Sequence, residues 1–295
     1  MAVVDPRSLF KQLQGDLPAD LHEHVFVVGS LAAAYHFQKK LVKGGVNTKD
    51  ADLVIHPAGD IVSCAKMAER LLDLRWRRKE DCYPSALNVP PEQRRAIRLL
   101  PPSTDDYFVE FLNLPAKGQK GPKEWVGVEV KGGGYGLPTF RFQGLTAEGR
   151  LRSEAGLEYA TPAMMALANL LSHPEVRDDQ MSAPIGGRMI RRSSKDLGRV
   201  LALTVLAGLE EVELWVDPWR VGIQSWFPAE WKELAARVGD GLRRLLVMPE
   251  ALDEARHSCE YSLLAGLGHT TASLTTAGER ILGAAIEPLA REARS

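Results

Sequence analysis

The sequence predicts an α+β protein in which a small mixed-sheet domain comes first and an α-helical domain follows. In the first half, short β-branched runs such as Val25–Val28 and Asp50–Ile55 alternate with helical patterns. From Thr161 onwards, apolar residues recur at helical spacing and no strand pattern interrupts them. This change of character predicts a domain boundary near residue 155, which divides the chain into residues 1–155 and 156–295.

Composition places the chain among soluble globular proteins. Of its 295 residues, 45% are hydrophobic and 25% are charged, and the net charge of -1 argues against a protein wrapped in nucleic acid, although it allows a local basic groove. No run of about 18 apolar residues and no apolar signal core is present, so we expect no membrane span, no export and a cytoplasmic location. The three cysteines lack Cys-x-x-Cys spacing, which indicates neither a disulfide framework nor a structural zinc site.

The first predicted elements are a leading helix over residues 1–22 and a strand, a tight turn and a helix after it. The apolar run Val25–Val28 predicts the strand, and Gly29-Ser30 predicts the turn. An alanine-rich stretch with helical spacing of apolar residues continues from Leu31. Because the first N–H groups of a helix have no partner within it, this turn favours binding of a phosphate.

A second strand, Asp50–Ile55, carries two carboxylates on one face. Side chains alternate along a strand at about 3.3 Å per residue, so Asp50 and Asp52 project together, roughly 6.6 Å apart at Cα. Acidic residues are depleted in strands, and two on one face repel each other unless a cation compensates them. Mg²⁺ takes oxygen ligands and commonly keeps substrate phosphates as well, so this pair predicts a magnesium site.

The next elements follow from turn and capping signals. Asp60 is the expected N-cap of a helix over residues 61–74. Two hairpins are expected after it, the first from strands 96–100 and 107–112 and the second from strands 124–130 and 139–142. The glycine run after Lys131 is interpreted as the turn of the second hairpin.

The α-helical domain begins at Thr161-Pro162, where proline occupies the first helical position. Helical periodicity continues in residues 197–205, 231–246 and 274–289.

The motifs of the first half resemble those of the DNA polymerase β-like nucleotidyltransferase superfamily. Its signature is a Gly-Ser or Gly-Gly turn followed by an Asp-x-Asp strand, matched here by Gly29, Ser30, Asp50 and Asp52. Thr48 occupies the Ser/Thr position two residues before the first aspartate. The resemblance extends over scattered motifs in residues 20–205.

Two later positions add to the resemblance. Glu110, in the middle of an apolar strand, matches the third carboxylate of the superfamily. Lys195-Asp196 is similar to the Lys-Asp motif in the helical part of the branch related to AbiEii/MenT-type bacterial toxins. Gly198-Arg199 stands where toxin-like members usually carry an aromatic residue and another aspartate.

The resemblance implies a metal-dependent nucleotidyltransferase, which moves NMP from an NTP such as ATP to an acceptor hydroxyl and releases pyrophosphate. Asp50, Asp52 and Glu110 would be the catalytic residues of a two-metal mechanism and the ligands of two Mg²⁺ or Mn²⁺ ions, with Glu110 on the second ion. Gly29, Ser30, Thr48 and Lys195 would bind the nucleotide. Glu110 would also take the proton of the attacking hydroxyl.

Two other hypotheses remain open from the sequence. A catalytically silent nucleotide-binding or partner-binding module on the same fold is one, and a structural scaffold built on the apolar C-terminal helices is the other. A cation that forms a salt bridge with the acids would favour the silent module.

The acceptor is RNA, a protein or a small molecule. Two basic runs, 75–79 and 188–195, favour RNA if both border the cleft, although the first is equally typical of a solvated helix end or an edge strand.

Overall fold

The computed structural model describes residues 3–173 and 180–294, and it confirms the α+β prediction. Residues 1 and 2 of the predicted leading helix lie outside this part. The strands are β1 (Val3–Val4), β2 (Val25–Val28), β3 (Val46–Asn47), β4 (Asp50–Ile55), β5 (Arg77–Arg78), β6 (Arg98–Leu100), β7 (Phe108–Asn113), β8 (Lys123–Val130), β9 (Gly133–Phe140), β10 (Leu151–Arg152) and β11 (Glu158–Tyr159).

Seven of these strands form a mixed sheet in the order β10-β11-β2-β4-β7-β6-β5. Strand β4 runs antiparallel to β2 and parallel to β7, and β6 forms an antiparallel hairpin with β7. In this register Asp52 pairs with Val28 on one side and with Glu110 on the other. The sheet therefore brings the end of β2 and both acidic strands together.

Several helices begin at a capping side chain, and the others begin without one. Asp60 Oδ1 accepts a hydrogen bond from the Ser63 N–H, as the capping signal predicted. At the predicted helix start after Thr161, Thr161 Oγ1 accepts one from the Met164 N–H. The helices are α1 (Pro6–Asp16), α2 (Gly29–His36), α3 (Ile61–Asp73), α4 (Pro162–Ser172), α5 (Arg192–Ala207), α6 (Leu209–Glu213), α7 (Val216–Trp226), α8 (Trp231–Arg237), α9 (Asp240–Leu246), α10 (Pro249–Glu260), α11 (Thr271–Ile281) and α12 (Glu287–Arg294).

Two predicted helices are shorter than expected. The leading helix ends at Asp16, and a 3-10 segment, Ala19–His24, follows it after Pro18. The periodicity over 231–246 belongs to two helices, α8 and α9, separated around Gly239, where a Cβ would lie only 2.7 Å from an Ile286 side-chain carbon.

The interpretation of the glycine run as a turn is wrong for most of its residues. Only Lys131 and Gly132 turn the β8–β9 hairpin, and Gly133, Gly134 and Gly136 lie within β9. A Cβ on Gly133 would come within 2.3 Å of Pro84, and one on Gly136 within 2.3 Å of the Pro91 carbonyl oxygen. These glycines are required because a neighbouring chain segment crosses the strand closely.

One cluster of buried apolar side chains extends from the sheet into the helices. Phe26, Leu53 and Phe111 contribute to it from the central strands, and Trp219 contributes from α7. The sheet itself continues to Tyr159, so the division near residue 155 stays a prediction. Within residues 3–173 and 180–294, no helix combines the length and the apolar content needed to cross a membrane.

Candidate active site

The turn between β2 and α2 is built on Gly29. Its φ of +75° is a left-handed conformation that residues with a Cβ rarely adopt. A Cβ at this position would lie 2.7 Å from Asp52 Oδ2, so the Asp52 carboxylate lies directly against the turn. Ser30 follows as the second residue of α2, and no side chain caps the start of this helix. The first N–H groups of α2 therefore open beside a carboxylate.

Strand β4 presents Asp50 and Asp52 on its partly exposed face, while Ala51 and Leu53 on the other face are fully buried. The buried Thr48 orients the first aspartate. Its hydroxyl donates to Asp50 Oδ1 at 2.9 Å and also lies 3.0 Å from the Asp50 carbonyl oxygen. The sequence prediction that these residues share a face is confirmed, and Thr48 contacts the carboxylate of Asp50.

Glu110 lies on β7 directly opposite Asp52, as the three-acid pattern predicted. It also has a partner that the sequence analysis missed, because Arg98 Nη2 on β6 is 3.0 Å from Glu110 Oε1. The Glu110 side chain is 13% exposed and the Arg98 side chain 34%, so the carboxylate end of this ion pair is the better shielded from water. Arg98 and Glu110 are cross-strand partners in the β6–β7 hairpin. The hairpin was predicted from the sequence, but its register, which pairs Arg98 with Glu110, was not.

The three carboxylates act on one another electrostatically. Desolvation is the largest cause that raises the pKa of Asp52 well above its ordinary value, and the charges of Asp50 and Glu110 add to it. Desolvation also raises the pKa of Glu110, with a further contribution from Asp50, although Arg98 opposes the shift. Negative charge at this site is therefore incompletely compensated.

Helix α5 supplies two cations that act on Asp52 electrostatically. Arg199 and Lys195 both lower the pKa of Asp52, and Arg199 has the larger effect. The predicted nucleotide-binding residue Lys195 thus lies within electrostatic reach of the acids. Arg199 was not assigned a role from the sequence, although its spacing of four residues from Lys195 on a helix was a signal for it.

The donor set fits a divalent metal ion in part. Asp50 and Asp52 offer the oxygen ligands that Mg²⁺ or Mn²⁺ prefers, and the raised pKa of Asp52 marks charge that a cation would compensate. Within residues 3–173 and 180–294, however, no three His, Cys, Asp or Glu side chains are arranged to hold a metal ion together. Glu110 contacts Arg98 instead, so the fit rests on the two aspartates.

An open groove of about 1090 Å³ is lined by neighbours of Asp50, although none of the three acids is among its lining residues. Lys49, which precedes Asp50 in the chain, lines this groove. Phe108, which pairs with Asp50 between β4 and β7, lines it as well. The basic residues Arg77, Arg78 and Lys79 also line the groove, together with the glycines at 186 and 187. Trp76 does not, because it is buried and its Nε1 donates to Asp16 Oδ2 at 3.0 Å.

Comparisons with known proteins leave the family open. No family model matches the chain, and no curated protein matches it. A search of solved structures found the STING-associated CdnE c-di-GMP synthase from Capnocytophaga granulosa, at 11% sequence identity and a TM-score of 0.25, covering 98% of this chain and 81% of the other. Since a TM-score of 0.25 carries no argument, the function has to be inferred from the side chains of this chain.

Proposed function

We propose that the chain is a metal-dependent nucleotidyltransferase, which moves NMP from an NTP to an acceptor hydroxyl and releases pyrophosphate. The observation that supports this most directly is the contact between the Asp52 carboxylate and the Gly29 turn at the start of α2. It puts a helix start that would receive phosphate next to an acid that would bind the metal ion. Asp50 and Glu110 lie on the same face of the sheet as Asp52. Assignment to the DNA polymerase β-like superfamily, and to its AbiEii/MenT-type branch, remains a prediction.

Each site residue has a distinct task in this reaction. The N–H groups of Gly29 and Ser30 would receive the phosphates, and Lys195 would meet them from α5. Asp50, held by Thr48, and Asp52 would hold Mg²⁺ or Mn²⁺. When bound, the metal would stabilise charge on the phosphates and favour ionisation of the acceptor hydroxyl.

Glu110 would complete the set by taking the proton of the acceptor hydroxyl. The hydroxyl oxygen forms a bond to the α-phosphorus, the bond from that phosphorus to pyrophosphate breaks, and the proton moves to Glu110. The raised pKa of Glu110 suits a group that must accept a proton near neutral pH. Arg98 contacts Oε1 of Glu110, so Oε2 is the oxygen that would take the proton or contact a metal ion.

A catalytically silent nucleotide-binding module is the second candidate function. The ion pair between Arg98 and Glu110 favours it, because an internal cation neutralises one of the three acids. Such a module would bind an NTP at the Gly29 turn and transfer nothing.

Transfer and binding assays separate the two candidates. The purified protein is incubated with each labelled NTP and Mg²⁺ or Mn²⁺, in separate reactions with total RNA, a protein extract and a small-molecule extract, and calorimetry measures NTP binding in parallel. Label that moves to an acceptor in the wild type and not in the Asp50→Ala, Asp52→Ala double variant supports the transferase. NTP binding without transfer to any acceptor class would establish the silent module instead.

RNA is the acceptor that we propose, on the first basic run alone, because Arg77, Arg78 and Lys79 line the groove and none of residues 188–195 is among its lining. A cytoplasmic location is part of the same proposal. The groove next to Asp50 presents Arg77 and Arg78, although Arg77 also pairs with Asp105 and Arg78 Nε donates to the Tyr135 hydroxyl at 2.8 Å. A single-stranded phosphate backbone that follows this groove would contact both cations.

The groove is tested by reversing Arg77 and Arg78 to Glu and measuring RNA binding over a salt series. Loss of two phosphate contacts should weaken binding and reduce the salt slope by roughly 1 to 1.5. Reversal of Lys66 and Arg70, which lie on α3 and do not line the groove, is the matched control. An unchanged affinity and slope would exclude Arg77 and Arg78 from the acceptor site.

A further inference from the structure

Tyr83 differs from the other tyrosines of this chain. It is 65% exposed, and among the described residues no ring lies against it, no cation lies over it and no hydrogen bond involves its hydroxyl. The five other tyrosines each have a ring contact or a hydrogen bond within the fold, namely Tyr35, Tyr107, Tyr135, Tyr159 and Tyr261. Packing within the chain therefore does not require an aromatic ring at Tyr83.

The loop that carries Tyr83 is fixed on both sides of this residue. Cys82, directly before it, is buried, and Pro84, directly after it, lies against β9. Ser85 then pairs with Gly134 through two backbone hydrogen bonds of 2.8 and 2.9 Å. Because the backbone is held in this way, a ligand that contacts the ring does not have to order the loop first.

Tyr83 lines the open groove of about 1090 Å³, and Phe108 is the other aromatic residue that lines it in the described part of the chain. The Phe108 ring is already occupied, because Lys79 Nζ lies 5.6 Å and Arg98 Cζ 5.5 Å from its centroid. Tyr83 is therefore the aromatic ring of this groove that is left for a ligand.

The turn Gly186-Gly187 lines the same groove and contributes no side chain to it. Both glycines have left-handed φ values, +54° and +82°, and Ile185 and Arg188 exchange backbone hydrogen bonds of 2.9 and 3.0 Å across the turn. Arg188 Nη1 is 2.7 Å from Asp253 Oδ2, which fixes the turn to α10. Because glycine allows a close approach to the backbone, this part of the groove leaves room for a flat ring.

The charge of the groove is mixed. Among the described residues that line it, four are cations and three are acids, namely Lys49, Arg77, Arg78, Lys79, Glu80, Asp105 and Asp106. Arg77 pairs with Asp105, and Lys79 Nζ is 2.8 Å from Asp81 Oδ1. Attraction of phosphates is therefore only part of what would hold RNA there. Stacking of a base on an aromatic ring adds a contact that does not depend on charge.

We infer that Tyr83 is a base-stacking residue, which receives an unpaired base of the acceptor RNA in this groove. This inference rests on the proposed function and adds a base contact to the phosphate contacts of Arg77 and Arg78. None of the described residues that would bind the NTP lines the groove, so the base belongs to the acceptor. A duplex already stacks and pairs its bases internally, so single-stranded RNA is the form that fits.

Fluorescence anisotropy with a labelled single-stranded oligoribonucleotide measures this contact in the absence of NTP. We expect Tyr83→Ala to weaken binding about tenfold, which is within the range of base–aromatic stacking. Tyr83→Phe should keep most of the affinity, because stacking requires the ring and not the hydroxyl. The salt slope of Tyr83→Ala should equal that of the wild type, because no phosphate contact is removed. Leu87→Ala, at an exposed apolar residue of the same chain segment that does not line the groove, is the matched control and should change nothing.

Three further measurements locate the base. Photo-crosslinking of single-stranded RNA that contains 5-iodouridine, followed by peptide mass spectrometry, should label Tyr83 in the wild type. The same sequence held in a duplex should bind more weakly, and Tyr83→Ala should leave its affinity unchanged. Calorimetry should give Tyr83→Ala the NTP affinity of the wild type. A loss of NTP affinity as large as the loss of RNA affinity would overturn the assignment of the base to the acceptor.

Wild-type affinity of Tyr83→Ala for single-stranded RNA, or no binding of this RNA by the wild type, would overturn the inference. A loss in Tyr83→Phe as large as that in Tyr83→Ala would overturn the stacking role as well. Thermal unfolding shows whether each variant is folded, and the crosslink in the wild type tests the contact by itself if Tyr83→Ala is not.

The transfer assay on the same proteins separates this inference from the proposed function. Binding of single-stranded RNA that depends on Tyr83, without transfer of NMP to RNA, would reject the transfer to RNA and keep the base contact. Transfer to RNA with an unchanged KM for RNA in Tyr83→Ala would keep the transferase and reject the base contact.

Discussion

Asp52 and Glu110 occupy paired positions on adjacent parallel strands, yet their charges are compensated in different ways. Glu110 has a guanidinium 3.0 Å away, supplied by the neighbouring strand. Asp52 lies against the Gly29 turn, and Arg199 and Lys195 influence it through their charges, without an ion pair within 4.0 Å among the described residues. The register of β4 and β7 thus brings the two acids together. Which acid is available to a ligand depends on the cations near each of them.

The difference has a structural origin. Arg98 reaches Glu110 because β6 and β7 form a hairpin and the two residues are cross-strand partners. Strand β2, on the other side of β4, places Val28 opposite Asp52 and leads directly into the glycine turn. Glu110 therefore lies next to a cation of the sheet, Arg98, and Asp52 lies next to the uncapped first turn of α2. We infer that Asp52 is the primary anchor of the proposed metal ion.

The largest effect on NMP transfer should come from removing the two aspartates of β4. Replacing Asp50 and Asp52 with Ala should reduce NMP transfer at least on the order of 10²- to 10³-fold, because the charges that organise the phosphates are lost. Steady-state transfer of labelled NMP measures the effect, and Asp20→Asn, an exposed acid, is the control. Transfer that persists in the double variant would contradict the proposed roles of both residues.

Gly29→Val tests the contribution of the turn to NTP binding while both aspartates are kept. The side chain would meet Asp52 Oδ2 and hold a β-branched residue at a φ of +75°. We expect NTP affinity to fall at least about tenfold, with a loss of stability from strain of about 1 to 3 kcal/mol.

Gly149→Val is the control for Gly29→Val. Gly149 has a φ of +60°, and a Cβ added to it would have no neighbouring atom within 4 Å, so this variant introduces backbone strain without crowding a carboxylate. Calorimetry of NTP binding and thermal unfolding measure both variants. An NTP affinity of Gly29→Val equal to that of the wild type would show that the turn is only a connection.

Arg98→Gln should alter the Glu110 side of the comparison. The contact involves one nitrogen of the guanidinium, and the buried Arg98 Nε has no hydrogen-bond partner, so the pair is not a bidentate clamp. Arg98 lowers the pKa of Glu110, and its loss raises that pKa further. If Glu110 accepts the proton, the acid limb of the pH–rate profile should move to higher pH.

The transfer rate of Arg98→Gln at neutral pH should then fall about tenfold, as for a modest loss in general-base catalysis, and recover at higher pH. Glu110→Gln should show no such recovery, because it has no group to ionise. A pH profile of Arg98→Gln identical to that of the wild type would remove Glu110 from proton transfer.

The sequence predicted the parts of the site that depend on local order. A β-branched run, a glycine and alternating acids specify a strand, a turn and a strand, so Gly29, Asp50 and Asp52 could be selected from spacing alone. Asp60 was likewise predicted as a helix cap from its neighbours, and the structure confirms it.

The parts that depend on packing could not be predicted. The contact of Arg98 with Glu110 requires the register of a hairpin whose connecting loop gives no turn signal that fixes it. The direction of Arg199 depends on how α5 packs against α10, through Gly198 and Ala255. The strand glycines of β9 were misread for a similar reason, since the segments that cross them are distant in sequence.

The smallest expected effect is on stability, and its pH dependence tests whether Asp52 and Glu110 are compensated differently. Raised pKa values mean that the folded state binds protons more tightly than the unfolded state, so ionisation of Asp52 and Glu110 destabilises the fold as pH rises from the usual carboxyl range through each raised value. Asp52→Asn removes this penalty, and its melting temperature should exceed that of the wild type at neutral pH. The gain should disappear at acid pH, where Asp52 is protonated in both states.

Glu110→Gln is the internal control for this stability test, because it removes an ionising group but also leaves Arg98 without its carboxylate. The loss of that ion pair offsets the relief, so we expect a smaller gain than for Asp52→Asn, or a net loss. Thermal unfolding of the metal-free proteins over a pH series measures both. Equal gains would mean that Arg98 contributes nothing to Glu110, whereas no gain for Asp52→Asn at any pH would mean that the cations of α5 already compensate Asp52 fully.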